Sequence, residues 1–348
     1  MSYRKSRTVP PLPDHPMSEQ SYAGRNVLVT GAGGFIGSHL VEALALGGAN
    51  VTALIRYNSS SSWGKLEENS LNALRATTVI MGNIEDSEFV RTHMAGKDVV
   101  FHLAALIAIP YSYIAPRSYL RTNIEGTLNV LEAARSASVA RVVHTSTSEC
   151  YGTAIYTPID ENHPLQGQSP YSASKIGSDK LVESYWRSFQ LPVVTLRPFN
   201  TFGPRQSARA FIPTIISQAL SQPQIHLGSL TPVRDLTFVA DTVAGFLAAG
   251  LAPNVEGETI NLGVGQGFTV GDVATRILSL LDLKLPIVED AERIRPQSSE
   301  VFKLISNNTK AGELLKWSPA ASLESGLTRT IEYVRNNITK YRSEAYSI

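Results

Sequence analysis

The sequence has one cysteine, Cys150, which rules out an internal disulfide and any zinc cluster built from cysteines. Its seven histidines are scattered and show no paired metal-ligand spacing. Charge of one sign is also lacking: 31 Lys and Arg stand against 30 Asp and Glu, with no long run of either. That excludes the broad basic footprint used on nucleic acid or on an anionic membrane. A small anionic ligand needs only a few local cations and stays open. No apolar run reaches the roughly 18 residues of a membrane helix, no internal repeat is visible, and low complexity is confined to "NSSSS" at 58–62. Residues 1–24 are rich in proline and polar side chains and lack the apolar centre of a signal peptide. They read as a flexible tail, with Met17 as an alternative start, on a cytoplasmic protein.

What is present, in 348 residues, is enough apolar sequence for one large domain or two joined ones. Short runs rich in Val, Ile and Leu alternate with amphipathic segments, the pattern of strand–helix–strand crossovers. Strands are predicted at 26–30, 50–56, 77–82, 97–105, 140–148 and 192–198, with helices at 35–47, 118–138 and 171–189. The fold class is therefore α/β, a Rossmann-type doubly wound parallel sheet over 25–198. After Pro198 the loops carry more Pro, Gly and Arg, and shorter helices are predicted at 209–221, 240–250, 269–282 and 322–337. Residues 199–348 read as a smaller, partly interleaved substrate domain over the carboxyl ends of the strands, where ligands of open α/β sheets bind.

"VTGAGGFIG" places Gly31, Gly34 and Gly37 between the first strand and its helix, with Phe35 and Ile36 opening that helix. Glycine there lets backbone approach a pyrophosphate, and the helix start offers it N–H groups. A free ribose 2′-hydroxyl calls for an acid at the end of the second strand, but Arg56 stands there. A cation suits a 2′-phosphate, so the cofactor is NAD or NADP; alternatively Arg56 borders solvent and Asn58 or a serine serves the ribose. Asn83 and Ile84 follow the third strand beside the expected adenine. "HLAA", with Leu103, Ala104 and Ala105, follows the fourth.

Tyr171 and Lys175 are four apart and share one helix face. An ammonium near a phenol favours the phenolate and lowers its pKa toward working pH. Such a phenolate takes a hydroxyl proton while hydride leaves the same carbon, and Thr147 can hydrogen-bond that hydroxyl.

From "TGAGGFIGSHL", "TNIEGTLNVLEAA", "TSTSECYG", "SPYSASK", "RPFNTFGPRQ" and "RDLTFVADT", over about residues 25–340, the chain resembles the extended short-chain dehydrogenase/reductases of nucleotide sugars. "HLAALIAIPYSY" and "GSLTPVRD" are closest in wording to the 4,6-dehydratases of the legionaminic-acid and related N-acetylhexosamine pathways. The resemblance implies that Tyr171 is the base at the C4 hydroxyl and that Lys175 holds the nicotinamide ribose. It implies that Thr147 orients the substrate and that Asn123 supports a proton relay near the cofactor, with Pro198 beside it. Asn200 would contact the diphosphate or sugar, and Arg205 and Arg234 would stand near the phosphates. Arg209 and Arg295 are further candidates on the substrate side, and a homodimer through the helices at 118–138 and 171–189 is implied.

The family's reactions divide at Ser148. Known dehydratases carry Thr-Asp-Glu, whereas glucuronic-acid decarboxylases carry Thr-Ser-Glu, as here. Glu149 is suited to remove the C5 proton; a serine hydroxyl is no acid for a departing C6 hydroxyl. On these three residues alone a decarboxylase leads; it must hold a carboxylate, and "AALIAIPYSYIA" (104–115) carries no charge, although Arg234 could fill that role from elsewhere. A dehydratase in which Glu149 shuttles one proton from C5 to the C6 hydroxyl is favoured, with decarboxylase, 4-epimerase and a non-catalytic dinucleotide sensor as alternatives. Cys150 reads as a small core residue, kept from Glu149's site by strand alternation.

Overall fold

The apolar runs assemble into one parallel sheet. Its strands are β1 (Asn26–Thr30), β2 (Asn50–Arg56), β3 (Thr77–Gly82), β4 (Val99–His102), β5 (Arg141–Thr145), β6 (Val193–Pro198) and β7 (Thr259–Leu262). They lie in the order β7-β6-β5-β4-β1-β2-β3, every neighbouring pair parallel. The structure, a computed structural model, describes residues 21–294 and 296–341. Both faces of the sheet are covered, so its central strands are apolar throughout rather than alternating: Val27, Leu28 and Val29 are all fully buried. Val27 and Val29 join one core cluster, while Leu28 faces Val100, Val130 and Leu131 in the other.

Four helices position the site. Helix α1 (Phe35–Leu46) follows β1, α2 (Gly126–Ser136) continues a π-helical stretch at Leu120–Glu125, and α3 (Pro170–Phe189) precedes β6. Helix α4 (Val239–Leu251) returns from the second half to pack on α1 and β5. A capping box starts α3: Ser169 Oγ accepts from the Ser172 N–H at 3.1 Å, and Ser172 Oγ accepts from the Ser169 N–H at 3.0 Å. With Pro170 as first helical residue, Tyr171 falls in the first turn and Lys175 one turn on.

In the second half, the strand Val233–Phe238 pairs with Asn200–Phe202, Lys303–Leu304 and Gly267–Thr269, and Ile225–Leu227 pairs with Ile287–Glu289. Phe202 and Phe238 pack with ring centroids 5.7 Å apart and belong to the same core cluster as Val27 and Val29. The two halves thus share one core, and β7 and α4 cross the expected boundary at 198.

Two expectations need correction. Tyr22, placed in the tail, is buried at 2% exposure and donates to the Leu247 carbonyl at 2.7 Å. The fold therefore includes the last residues of that segment, and 1–20 lie outside the described residues. The fifth strand ends at Thr145 rather than 148, because Thr147 caps a 3₁₀ turn at Ser148–Tyr151 and accepts from the Glu149 N–H at 3.2 Å. Among the described residues no helix is long and apolar enough to cross a membrane.

Candidate active site

A cleft of about 890 Å³ opens at the carboxyl ends of the strands, across the switch point between β1 and β4 where strand order reverses. Gly31, with φ +69°, makes the turn there. A Cβ on it would lie 2.7 Å from the Ala104 nitrogen, and one on Gly37 would lie 2.4 Å from the Gly31 carbonyl. Only glycine permits this close meeting of loop, helix and strand. The N-cap of α1, Gly34, makes no side-chain cap, which leaves first-turn N–H groups at the cleft. Gly31, Gly34, Phe35, Ile36 and Gly37 all line it, with Gly33. Thr30 Oγ1 accepts from the Leu103 and Ala104 N–H groups at 3.2 and 3.1 Å and meets His102 Nδ1 at 2.8 Å, fixing the "HLAA" loop. Leu103, Ala104, Ala105, Asn83, Ile84 and Pro198 line the same groove. A glycine cradle, an uncapped helix start and an apolar groove fit a dinucleotide.

Arg56 lies exposed at the rim of this groove, together with Asn58, Ser62 and Trp63. The Asn58 amide is occupied within its own loop. Its Nδ2 donates to the Ser62 carbonyl at 2.8 Å, and its Oδ1 accepts from the Ser62 N–H at 3.0 Å and Ser60 Oγ at 2.6 Å.

Thr147, Ser148, Glu149, Tyr171 and Lys175 converge on the middle of the cleft. Burial pushes the Tyr171 phenol well above the usual tyrosine range; the Thr147 hydroxyl pulls it back, and Cys150 and the Glu149 carboxylate add to the rise. Tyr119 stands edge-on to Tyr171 at 6.2 Å. The expected lowering of the phenol by Lys175 is corrected here. Its ammonium, 4% exposed, donates to the Thr145 carbonyl at 2.6 Å, and desolvation outweighs any charge effect on the phenol. Burial also pulls Lys175 below its usual range, with Asp179 opposing.

Cys150 is fully buried, 3.6 Å from Ser146 Oγ, and burial pushes its thiol up to about 12. It is a core residue as expected, although a 3₁₀ turn rather than strand alternation separates it from Glu149. Asn123, 1% exposed, does not line the cleft. It exchanges hydrogen bonds with the Leu106 backbone at 2.8 and 3.0 Å and donates to Ser174 Oγ at 2.9 Å, pinning the loop after β4 to α3.

On the substrate side Asn200, Arg209 and Arg234 line the cleft. Asn200 Oδ1 is buried with no hydrogen-bond partner among the described residues. Arg234 pairs with Glu300 at 3.2 Å, and Arg293, which the sequence reading missed, lines the cleft and pairs with Asp290 at 3.0 Å. Arg295 lies outside the described residues.

Arg205 is a correction: it turns away from the cleft. At φ +69° its guanidinium reaches Glu42 at 2.7 Å, Asn69 Oδ1 at 2.7 Å and the Glu68 carbonyl at 3.1 Å. His39 donates from the same helix as Glu42 to the Pro204 carbonyl at 3.0 Å, and burial lowers its imidazole to about 4. The pair clamps α1 to the second half. Arg205→Met should therefore cost about 3 kcal/mol of stability, because a buried carboxylate loses its partner. A thermal melt would read that loss, and the Michaelis constant for substrate should stay unchanged.

Residues 28–330 match the family model described as GDP-mannose 4,6 dehydratase. The chain is 32% identical over 325 residues to a UDP-glucose 4-epimerase of Mycolicibacterium smegmatis, covering 89% of this chain and 98% of the relative. It is 31% identical over 320 residues to a dTDP-glucose 4,6-dehydratase of Streptomyces antibioticus, covering 90% and 93%. A solved double mutant of a Streptomyces venezuelae dTDP-glucose 4,6-dehydratase, with NAD bound, matches with a TM-score of 0.81 at 29% identity, covering 89% of this chain and 97% of that one.

Proposed function

This chain belongs to the GDP-mannose 4,6-dehydratase family, whose members related to it are dehydratases and epimerases of nucleotide sugars, and from that premise we propose that it is a nucleotide-sugar 4,6-dehydratase acting on a neutral hexose, an N-acetylhexosamine by choice. One observation carries the reading: the Glu149 carboxylate shares the cleft with the Thr147–Tyr171 pair and is felt by the phenol. A base for C5 thus stands beside the base for C4.

A bound nicotinamide supplies hydride acceptance at C4 and its later return. Tyr171 takes the C4 hydroxyl proton, Thr147 orients that hydroxyl, and Lys175 stands one turn behind it at the ribose. The resulting ketone acidifies C5–H, and Glu149 removes that proton. The same carboxyl then gives its proton to the departing C6 hydroxyl, so that water leaves; hydride is returned at C6, Glu149 delivers to C5 a proton taken up from solvent, and Tyr171 gives up to solvent the proton it took from the C4 hydroxyl. Ser148, 3% exposed, is spared the task of acid.

Two features speak against a glucuronic-acid substrate. The wall formed by Leu106, Ile107, Ala108, Ile109 and Pro110 carries no charge, and Arg234 and Arg293 already have carboxylate partners, which leaves Arg209, near Tyr119, as the cation a carboxylate would have to use. Incubation with UDP- and GDP-N-acetylglucosamine and UDP-glucuronic acid, followed by product mass, tests the reading. Loss of water is expected from an N-acetylhexosamine. Loss of carbon dioxide from UDP-glucuronic acid alone sinks it, and an unchanged mass with inverted C4 gives the epimerase.

The cofactor end supports NADP over NAD, since Arg56 is exposed at the rim while Asn58 is consumed in bracing its loop. One charge-assisted bond to a 2′-phosphate predicts roughly ten- to hundredfold tighter binding of NADP. Arg56→Asp should reverse the order, as read by cofactor titration of protein fluorescence. A homodimer across α2 and α3 is also proposed, supported by the exposed Leu120 and Leu128; sedimentation tests it.

A further inference from the structure

Behind the Tyr171–Lys175 pair, away from the cleft, lies a closed ionic cluster that the reaction scheme does not use. Asp179 sits one turn beyond Lys175 on α3, on the same face, and is 6% exposed. Its Oδ1 meets His144 Nε2 at 3.2 Å. Its Oδ2 accepts from Ser146 Oγ at 2.6 Å and from Arg197 Nη2 and Nε at 2.9 and 3.3 Å. Arg197, 5% exposed on β6, also donates to the Tyr151 hydroxyl at 3.0 Å, which in turn donates to Asn261 on β7 at 2.8 Å.

Asp179 thus grips the residues on either side of Thr145, whose carbonyl receives the Lys175 ammonium at 2.6 Å. The charges do not cancel. Around Lys175, that residue and Arg197 contribute two positives and Asp179 one negative, and burial together with the neighbouring Lys175 holds His144 below its usual range; the Glu161 carboxylate stands at the far end, accepting from the Asn261 N–H at 2.8 Å and acting on Tyr151. On the Lys175 side one positive charge is left over among buried groups, where it acts on its neighbours with less screening than at the surface. The other groups facing Tyr171 are Glu149 and Cys150 from the turn and Tyr119 from the helix beginning at Pro116. Buried His102 faces His144 and Lys175 from β4. Arg209 faces Tyr119 across the cleft and adds a positive charge at that side; of all these groups, only the Glu149 carboxylate opposes the surplus.

We propose that Asp179 and Arg197 are positioning residues that set the charge felt by Tyr171: together they hold the Thr145 carbonyl for Lys175 and leave one net positive charge behind the phenol. The inference rests on the proposed role of Tyr171 as base at C4 and is indifferent to whether dehydration or epimerisation follows.

The test is the pH profile of kcat/KM, whose acid limb reports the base of the free enzyme. Asp179→Asn raises the surplus to two and should lower that limb by about one pH unit. Arg197→Gln removes the surplus and should raise it by about as much. The double variant should return it to the wild-type position. Arg197→Lys keeps the charge and should leave the limb in place while lowering the melting temperature. A purely structural role would lower melting temperatures without moving the limb in opposite directions, so limbs that stay still or move together overturn the proposal. Should Asp179→Asn fail to fold, Arg197→Gln alone decides: an unmoved limb overturns it. Failure of the underlying reading is separate and shows as full turnover by Tyr171→Phe.

Discussion

Tyr171→Phe should cut turnover about a thousandfold, the loss expected when a positioned acid–base group is removed, and should leave the fold intact. The substitution deletes one oxygen from a ring that is 7% exposed and packed among Ile109, Leu106 and Tyr119. The phenyl ring keeps those contacts, so the melting temperature should barely change. The lost atom is the one that faces Thr147. Burial makes the phenolate costly, so the phenol should serve only while positive charge stands close behind it, and Lys175 is the nearest such group on its helix face. Substrate affinity measured by calorimetry should move by less than tenfold, because the diphosphate and sugar contacts lie elsewhere in the cleft; the difference between the two numbers is the chemical role. Full turnover by the variant would show that another group takes the C4 proton, whereas a wild-type protein that binds the dinucleotide but turns over no nucleotide sugar would belong with the dinucleotide sensors on the same fold.

Residues whose environment is set locally were legible in the sequence. Strands β1 and β2 fall where their apolar runs end, because a strand buried on both faces must be apolar along its length. The glycine loop and the Tyr171–Lys175 spacing likewise follow from chain geometry within a few residues. What escaped notice depends on distant partners. Strand β7 is only four residues long and acquires meaning from β6, more than sixty positions earlier in the chain. Arg205 and Arg209 sit in one short loop, and nothing in their spacing shows that the first turns to Glu42 on α1 while the second reaches the cleft. The run "VVHTSTS" reads as strand through β-branched residues, yet Thr147 uses its hydroxyl as a helix-type cap, a competition between side chain and ladder that composition does not reveal. Asp179 carried a signal that was readable, an acid four residues after Lys175.

Glu149→Gln should separate the first chemical step from those that follow. Glutamine preserves size and can still accept a hydrogen bond, so binding and the Thr147 cap, which uses the backbone N–H of residue 149, should persist. An amide cannot take the C5 proton at neutral pH. Exchange of C5–H with deuterated solvent should therefore fall about a thousandfold, and formation of the dehydrated product should fall with it. Oxidation at C4 should survive, because Tyr171, Thr147 and Lys175 are untouched. Removing the Glu149 charge should even ease ionisation of the phenol, since that carboxylate is among the groups that raise it. Borohydride trapping of the 4-keto sugar should thus recover at least as much ketone from the variant as from the wild type. An epimerase would behave differently, since it never breaks the C5–H bond: neither deuterium nor the glutamate would matter to its turnover. If deuterium enters C5 at the wild-type rate in Glu149→Gln, the base lies elsewhere in the cleft, and the assignment of the Thr-Ser-Glu turn to elimination is wrong.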